Sequence, residues 1–206
     1  MPEQGHHPGR IVRGHGRDPA YEMPPPRPGG WTSDDLDRLP GLPPHTELID
    51  GTLVVRSAQT FRHMAAVGRL ERALVAQAPP DLSVVREMTI LLGPRDRPEP
   101  DLAVVPGTAW TGNDQTSYPG TAVLLAVEVT LPDSEQRDRE VKPLLYARAG
   151  IAHYWRVETG PDTLTVHVHE LDTGTGRYRR TDVQRGGLAV CRPFRVSADL
   201  ASGRYL

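Results

Sequence analysis

Leu124 to Leu131, LLAVEVTL, constrain this chain more than any other stretch. The run is apolar, strand-length and rich in β-branched residues, so it predicts a strand inside a core. Yet Glu128 stands in its middle. Side chains alternate across a strand, which puts Val123, Leu125, Val127 and Val129 on one face and Ala126, Glu128 and Thr130 on the other. The first face is expected to pack against helices. The second is smaller and is expected to line a cleft. A lone buried carboxylate is costly unless it is paired, protonated or bound to a metal, so the strand asks for a partner.

The elements around this strand follow from local signals. TELIDGTLVVR reads as two short strands joined at Asp50-Gly51, a strong hairpin signal. Upstream, TSDDLDRLP predicts a short helix capped by Ser33 and ended by Pro40. FRHMAAVGRLERALVAQ, Phe61 to Gln77, sets Ala66, Leu70, Ala73, Leu74 and Gln77 at helical spacing, with Pro79-Pro80 as the stop. LSVVREMTILLG reads as a long or bulged strand, and EPDLAVVP as a short one closed by Pro106. DSEQRDREVKPLLYARAG reads as a helix that Pro143 kinks or restarts, ending at Gly150. IAHYWRVE is a further strand, and LTVHVHEL, DTGTG and RYRRTDV form a second hairpin. The order predicts a mixed α/β architecture around a central sheet. Residues 1–30, rich in Gly, Pro, His and Arg, lack apolar periodicity and read as a disordered tail, leaving residues 31–206 as one domain. His6, His7 and His15 fall in that tail and read as solvated rather than metal-binding.

Bulk properties narrow the function. With 206 residues the chain is long enough to bury a core, and its net charge of −2 provides no basic field for nucleic acid or an anionic membrane, so binding to either needs a local patch. No apolar run approaches the roughly 20 residues of a bilayer span, and no apolar leader opens the chain. The single cysteine, Cys191, rules out an internal disulfide framework and suits a reducing cytoplasm. Of the 24 basic residues, all but Lys142 are Arg. A GC-rich coding bias explains the arginines. The surviving lysine points to a role for a compact ammonium, which a planar guanidinium cannot fill.

Asp101, in PEPDLAVV, lies on the strand expected beside LLAVEVTL. Asp101 and Glu128 on one face would form an anionic oxygen site suited to Mg²⁺ or Mn²⁺. Glu47, in TELIDG, is available as a third oxygen ligand or to orient a water there. Lys142, on the following helix, can offset charge on a phosphate or help activate water. Together these groups suit metal-assisted phosphodiester hydrolysis. Plainer readings stay open: Glu128 paired with an arginine or placed at the solvent end of its strand, and Lys142 in a helix pair with Asp138.

ELIDGTLVV, the RH pair opening a helix, PEPDLAVV and LAVEVTLPDSEQRDREVKPLLYARAGIAHYWRVE together resemble the Uma-two family of restriction-endonuclease-like proteins, over about Thr46 to Glu158. The resemblance implies the PD-(D/E)xK nuclease superfamily: a restriction-endonuclease-like α/β core with a mixed central β-sheet flanked by helices, here with added β-hairpins. It implies Asp101 as the Asp of the PD element, Glu128 as the second acid, Glu47 as the N-terminal acid and Lys142 as a displaced superfamily lysine. Thr130 stands where that lysine usually lies. Leu131-Pro132 departs from the Ser-Pro that commonly follows the strand in the family. The implied activity is metal-dependent endonucleolytic hydrolysis of DNA by a cytoplasmic protein, with Glu47, Asp101 and Glu128 as metal-site acids and Lys142 as charge stabiliser. Homodimerisation is an analogy with the superfamily. A nuclease fold kept as a silent binding or regulatory module is the alternative.

Other candidates read more plainly. His63, in the RH pair, could approach the cleft but is expected rather to satisfy a carbonyl at its helix start. His167 and His169 have a spacing that can ligate a metal but, with no third ligand nearby, are expected to lie on an exposed strand face. His153, Tyr154 and Trp155 read as packing and sheet-edge residues. RYRR, Arg177 to Arg180, reads as a phosphate contact or a solvated hairpin. No Walker loop, dinucleotide fingerprint or nucleophile elbow is present.

Overall fold

A computed structural model describes residues 28–201. The tail expected over residues 1–30, with His6, His7 and His15, falls outside this range except for its last three residues. In chain order the elements are α1 (Ser33–Leu36), β1 (Thr46–Ile49), β2 (Thr52–Val55), α2 (Phe61–Gln77), β3 (Leu82–Arg86), β4 (Thr89–Leu91), β5 (Leu102–Pro106), β6 (Ser117–Pro119) and β7 (Leu125–Thr130). A π turn (Arg137–Val141) then leads into α3 (Lys142–Arg148), β8 (His153–Thr159), β9 (Leu164–Asp172), β10 (Arg177–Arg185), β11 (Gly187–Val190) and β12 (Val196–Asp199).

Six strands form the central sheet in the order β10-β9-β8-β7-β5-β3. Only β7 and β8 run parallel within it, and parallel neighbours need a crossover, which the π turn and α3 supply. The sheet is therefore mixed, as expected. Its two faces carry separate cores. Leu102, Val104, Leu125, Val127, Val129, Trp155 and Val157 pack with Ala66, Val67, Leu70 and Leu74 of α2. Ala103, Val105, Ala126 and Tyr154 pack on the other side with Tyr146 and Ile151.

Local chemistry accounts for most boundaries. Thr60 caps α2 by accepting a hydrogen bond from the His63 backbone N–H, and Ala78, preceding a proline, turns extended and ends the helix. In the hairpin, Asp50 and Gly51 both take positive φ, at 46° and 72°, as a two-residue turn of this hand requires. A Cβ on Gly51 would also sit 2.7 Å from the Arg95 guanidinium.

Several expectations are corrected. Thr32, not Ser33, caps α1, in a reciprocal capping box with Asp35. The predicted long strand is two strands, because Glu87 adopts φ 51° and turns β4 out of the sheet to pair with β6. Val123 precedes β7 and packs with the Ala126 side rather than with Val127. That second face is not an open cleft: Tyr146, Ile151 and Tyr154 cover it. The helix predicted after β7 becomes helical only at residue 135 and is wound as a π turn over Arg137–Val141. Pro143 has no N–H and its ring would meet the carbonyl four residues back, and the wider turn before it relieves that conflict. Tyr154 and Trp155 lie fully buried on β8, inside the sheet rather than at its edge. His167 and His169 are half-buried rather than exposed, and the His169 ring lies 5.6 Å from that of Tyr154.

Among the described residues no helix is long and apolar enough to cross a membrane. Cys191 is exposed and unpaired.

Candidate active site

The sheet register itself brings two acids together. β5 and β7 are antiparallel, with Leu102 opposite Val127 and Ala103 opposite Ala126. Continuing that register by one residue sets Asp101 beside Glu128. Asp101 Oδ2 accepts a hydrogen bond of 2.6 Å from the Val129 N–H, which fixes its carboxylate against β7. Both acids are almost completely buried.

Glu47 arrives from the hairpin. Leu48 and Arg97 exchange backbone hydrogen bonds of 3.1 and 2.7 Å, which tie β1 to the segment before β5. Glu47 then accepts a 2.8 Å hydrogen bond from the Glu99 N–H. Its Oε1 also lies 2.8 Å from Lys142 Nζ.

Lys142 is the hub. Its ammonium donates to both oxygens of Glu128 at 3.0 Å and stands 3.7 Å from Asp138 Oδ1. It is 2% exposed, so it works as a buried charge and not as a surface lysine. Asp138, Lys142 and Tyr146 recur every four residues, and the turn and helix carry all three inward. Tyr146 donates a 2.6 Å hydrogen bond to Glu128 Oε1, while Ser134 donates to Asp138 Oδ2 at 2.5 Å. The Tyr154 hydroxyl donates to the Asp138 carbonyl at 2.6 Å, anchoring the π turn to the sheet.

A second cation serves Asp101. Arg56 Nη2 donates to Asp101 Oδ1 at 2.6 Å and Nη1 to the Glu99 carbonyl at 3.2 Å. His63, fully buried at the start of α2, brings Nε2 to 3.4 Å from the same Asp101 oxygen. The histidine expected to satisfy a carbonyl is therefore part of the cluster. Arg56 also lines a cleft of about 380 Å³ with His45, Ser57, Gln59, Arg86 and Glu87. It is thus a member of both the buried cluster and the cleft.

The electrostatics follow from this packing. Burial pushes Glu128 well above the usual carboxylate range, and the charges of Asp138, Asp101 and Glu47 add to the push against the opposing pull of Lys142. Burial also opposes ionisation of Asp101, but His63 and Arg56 outweigh it and hold this group below its ordinary value. Lys142 is raised despite burial, because Glu128, Glu47 and Asp138 surround it. The ammonium stays charged, and the repulsion among like charges falls on Glu128.

All four residues singled out from the sequence therefore meet: Glu47, Glu128 and Lys142 in direct contact, and Asp101 alongside through the Val129 amide. Thr130, where the superfamily lysine is usual, has a buried hydroxyl with no hydrogen-bond partner among the described residues. Arg56 and Tyr146 were not foreseen. Tyr146 had a signal in its spacing from Lys142. Arg56 had none, since it follows β2 in a loop and only the tertiary fold brings it to Asp101. Arg177 to Arg180 lie on β10, at the sheet's edge, and Arg177 and Tyr178 line a cleft with Asp138, Tyr154 and Arg156. Among the described residues, no three Asp, Glu, His or Cys side chains already surround a common cation position.

The fold resembles a crystal structure described as that of "a putative nuclease belonging to DUF820 from Anabaena variabilis ATCC 29413". The TM-score is 0.60 at 18% identity, covering 79% of this chain and 89% of that one. No curated protein matches the chain. Residues 33–201 match the Uma2 family, described as "Putative restriction endonuclease". That span takes in every residue of the cluster, and the chain accordingly belongs to the Uma2 family, a membership that supports a nuclease.

Proposed function

We propose that this protein is a divalent-metal-dependent endonuclease that hydrolyses DNA phosphodiester bonds at the Glu47, Asp101, Glu128 and Lys142 cluster. The observation that carries this reading is the convergence of the buried Glu47, Glu128 and Asp138 carboxylates on the chain's only lysine, with Asp101 beside Glu128. A structural ion pair needs one acid for one base. Four buried carboxylates here, Glu47, Asp101, Glu128 and Asp138, face two permanently charged partners, Arg56 and Lys142.

The donor set fits Mg²⁺ or Mn²⁺ in two respects. It consists of carboxylate oxygens, which hard divalent cations prefer, and its excess of negative charge is what such a cation would neutralise. Asp101, Glu128 and Glu47 would hold the ion, which when bound polarises a phosphoryl oxygen and lowers the pKa of water. The chain's own residues do the rest. Lys142, kept protonated by its carboxylates, acts as a charge stabiliser and not as a base: its ammonium offsets the negative charge that grows on the phosphoryl group as water attacks. Tyr146 fixes the orientation of Glu128, and the Val129 amide fixes that of Asp101. The cleft meets the cluster at Arg56, and a phosphate would approach from that side.

One observation favours a second reading, a nuclease fold kept as a silent binding module. Both oxygens of Asp101 and of Glu128 already have internal donors. Calorimetric titration with Mn²⁺ separates the two. Saturable binding to the wild type that is lost in Glu128→Gln supports the enzyme; no binding, or equal binding to both, supports the module.

A further inference from the structure

A cation entering this cluster must first take oxygens that other groups hold. Lys142 has nowhere to withdraw: it is 2% exposed and enclosed by Glu47, Glu128 and Asp138. Arg56 differs. Its side chain is 12% exposed, and it opens the five-residue connection, residues 56–60, between β2 and α2, which lies outside helix and strand and is tied to α2 at Thr60. It lines the 380 Å³ cleft with His45, Ser57, Gln59, Arg86 and Glu87, where Gln59 and Arg86 already engage the Glu87 carboxylate. Rotation about its side-chain torsions would carry the guanidinium from Asp101 into that space with β2 and α2 left in place.

We propose that Arg56 is a two-position residue. In the ion-free protein it occupies Asp101 Oδ1 in place of a divalent cation. When a cation takes that oxygen, the guanidinium turns into the cleft and becomes the donor that positions a substrate phosphate beside the acids. Arg56 suits both positions, because its planar fork pairs with carboxylate and phosphate in the same bidentate manner. The inference rests on the divalent-cation reading above. It makes Arg56 a competitor of the metal and a positioning residue for the substrate, two roles with opposite signs on mutation.

The test uses the full chain and two variants, Arg56→Gln and Arg56→Lys, each checked for folding by circular dichroism. Mn²⁺ affinity is measured calorimetrically. DNA affinity is measured by anisotropy of a fluorescein-labelled duplex with cleavage-resistant phosphorothioate linkages, in the presence of Mn²⁺. A charge-assisted hydrogen bond to a buried carboxylate is strong enough that its removal should tighten Mn²⁺ binding by about tenfold and weaken binding of the DNA duplex by about as much. Arg56→Lys, which keeps the charge without the fork, should fall between wild type and Arg56→Gln in both measurements and serves alone if Arg56→Gln does not fold. A purely structural arginine would lower both affinities together, and that result overturns the proposal. Tightened Mn²⁺ binding with unchanged DNA affinity overturns the substrate role. Mn²⁺ binding to wild type that is unchanged in the variants overturns the competition and leaves the metal site standing. Absence of Mn²⁺ binding in all three proteins overturns both readings together.

Discussion

Lys142 Nζ lies 3.0 Å from each carboxylate oxygen of Glu128, and its other acidic neighbours, Glu47 and Asp138, belong to β1 and the π turn. The ammonium holds a hairpin, a core strand and a helix to one point. Removing it leaves buried carboxylates facing one another without a counter-charge, and breaking a buried pair from one side typically costs about 3–5 kcal/mol. Lys142→Met is therefore expected to lose that much stability in urea unfolding. The double variant Lys142→Met/Glu128→Gln should recover part of it, since one of the repelling charges is gone. An additive double variant would contradict the coupling.

Glu128→Gln separates chemistry from stability. The amide keeps one oxygen to accept from Tyr146 and Lys142. Its NH₂ group then faces the Lys142 ammonium, which retains Glu47 and Asp138, and the loss of one crowded like charge offsets that conflict. Stability is expected to stay within about 1 kcal/mol of wild type, while the heat of Mn²⁺ binding and DNA cleavage are both lost. A melting temperature that collapses with cleavage would make Glu128 a structural acid instead.

Asp101→Asn should behave differently. Its carbonyl can still accept from the Val129 amide, but its NH₂ group then faces the Arg56 guanidinium, donor against donor. Losing that charged hydrogen bond is expected to cost about 1.5–3 kcal/mol, along with cleavage. Denaturant unfolding of Asp101→Asn beside Glu128→Gln checks the contrast, and equal stabilities would contradict it.

The sheet face opposite the cluster tests the fold alone. Leu70 of α2 is fully buried in the core cluster between that helix and the sheet, whereas Val75 on the same helix is 58% exposed. Leu70→Ala is expected to cost about 2–5 kcal/mol. Val75→Ala should change stability by no more than about 0.5 kcal/mol. Unfolding midpoints with unchanged slopes would confirm both.

Most of this arrangement is legible in the sequence because strand alternation and register are local rules. Alternation in LLAVEVTL separates Val127 from Glu128, and the two-strand reading of PEPDLAVV and LLAVEVTL is enough to bring Asp101 beside it. α2 shows its end through Pro79-Pro80. Less legible is whatever depends on a residue entering from a loop or on a break in regular structure. Arg56 carries no spacing relation to Asp101, and the RH pair leaves open whether His63 faces a carbonyl or the cleft. The π turn before Pro143 and the left-handed Glu87 are responses to local conflict, and hydrophobic periodicity does not register them. The second face of β7 was expected to be open because its residues are small. It is closed because Tyr146 and Tyr154 supply the bulk that Ala126 lacks.

The central claim is turnover at this cluster, and cleavage of supercoiled plasmid DNA measures it most directly. Wild-type protein is expected to nick or linearise the plasmid in Mn²⁺ or Mg²⁺ and to stop when EDTA is added. Glu128→Gln and Lys142→Met, once shown to be folded, should be inactive under the same conditions. Cleavage that survives EDTA, or that persists undiminished in both variants, would contradict the account.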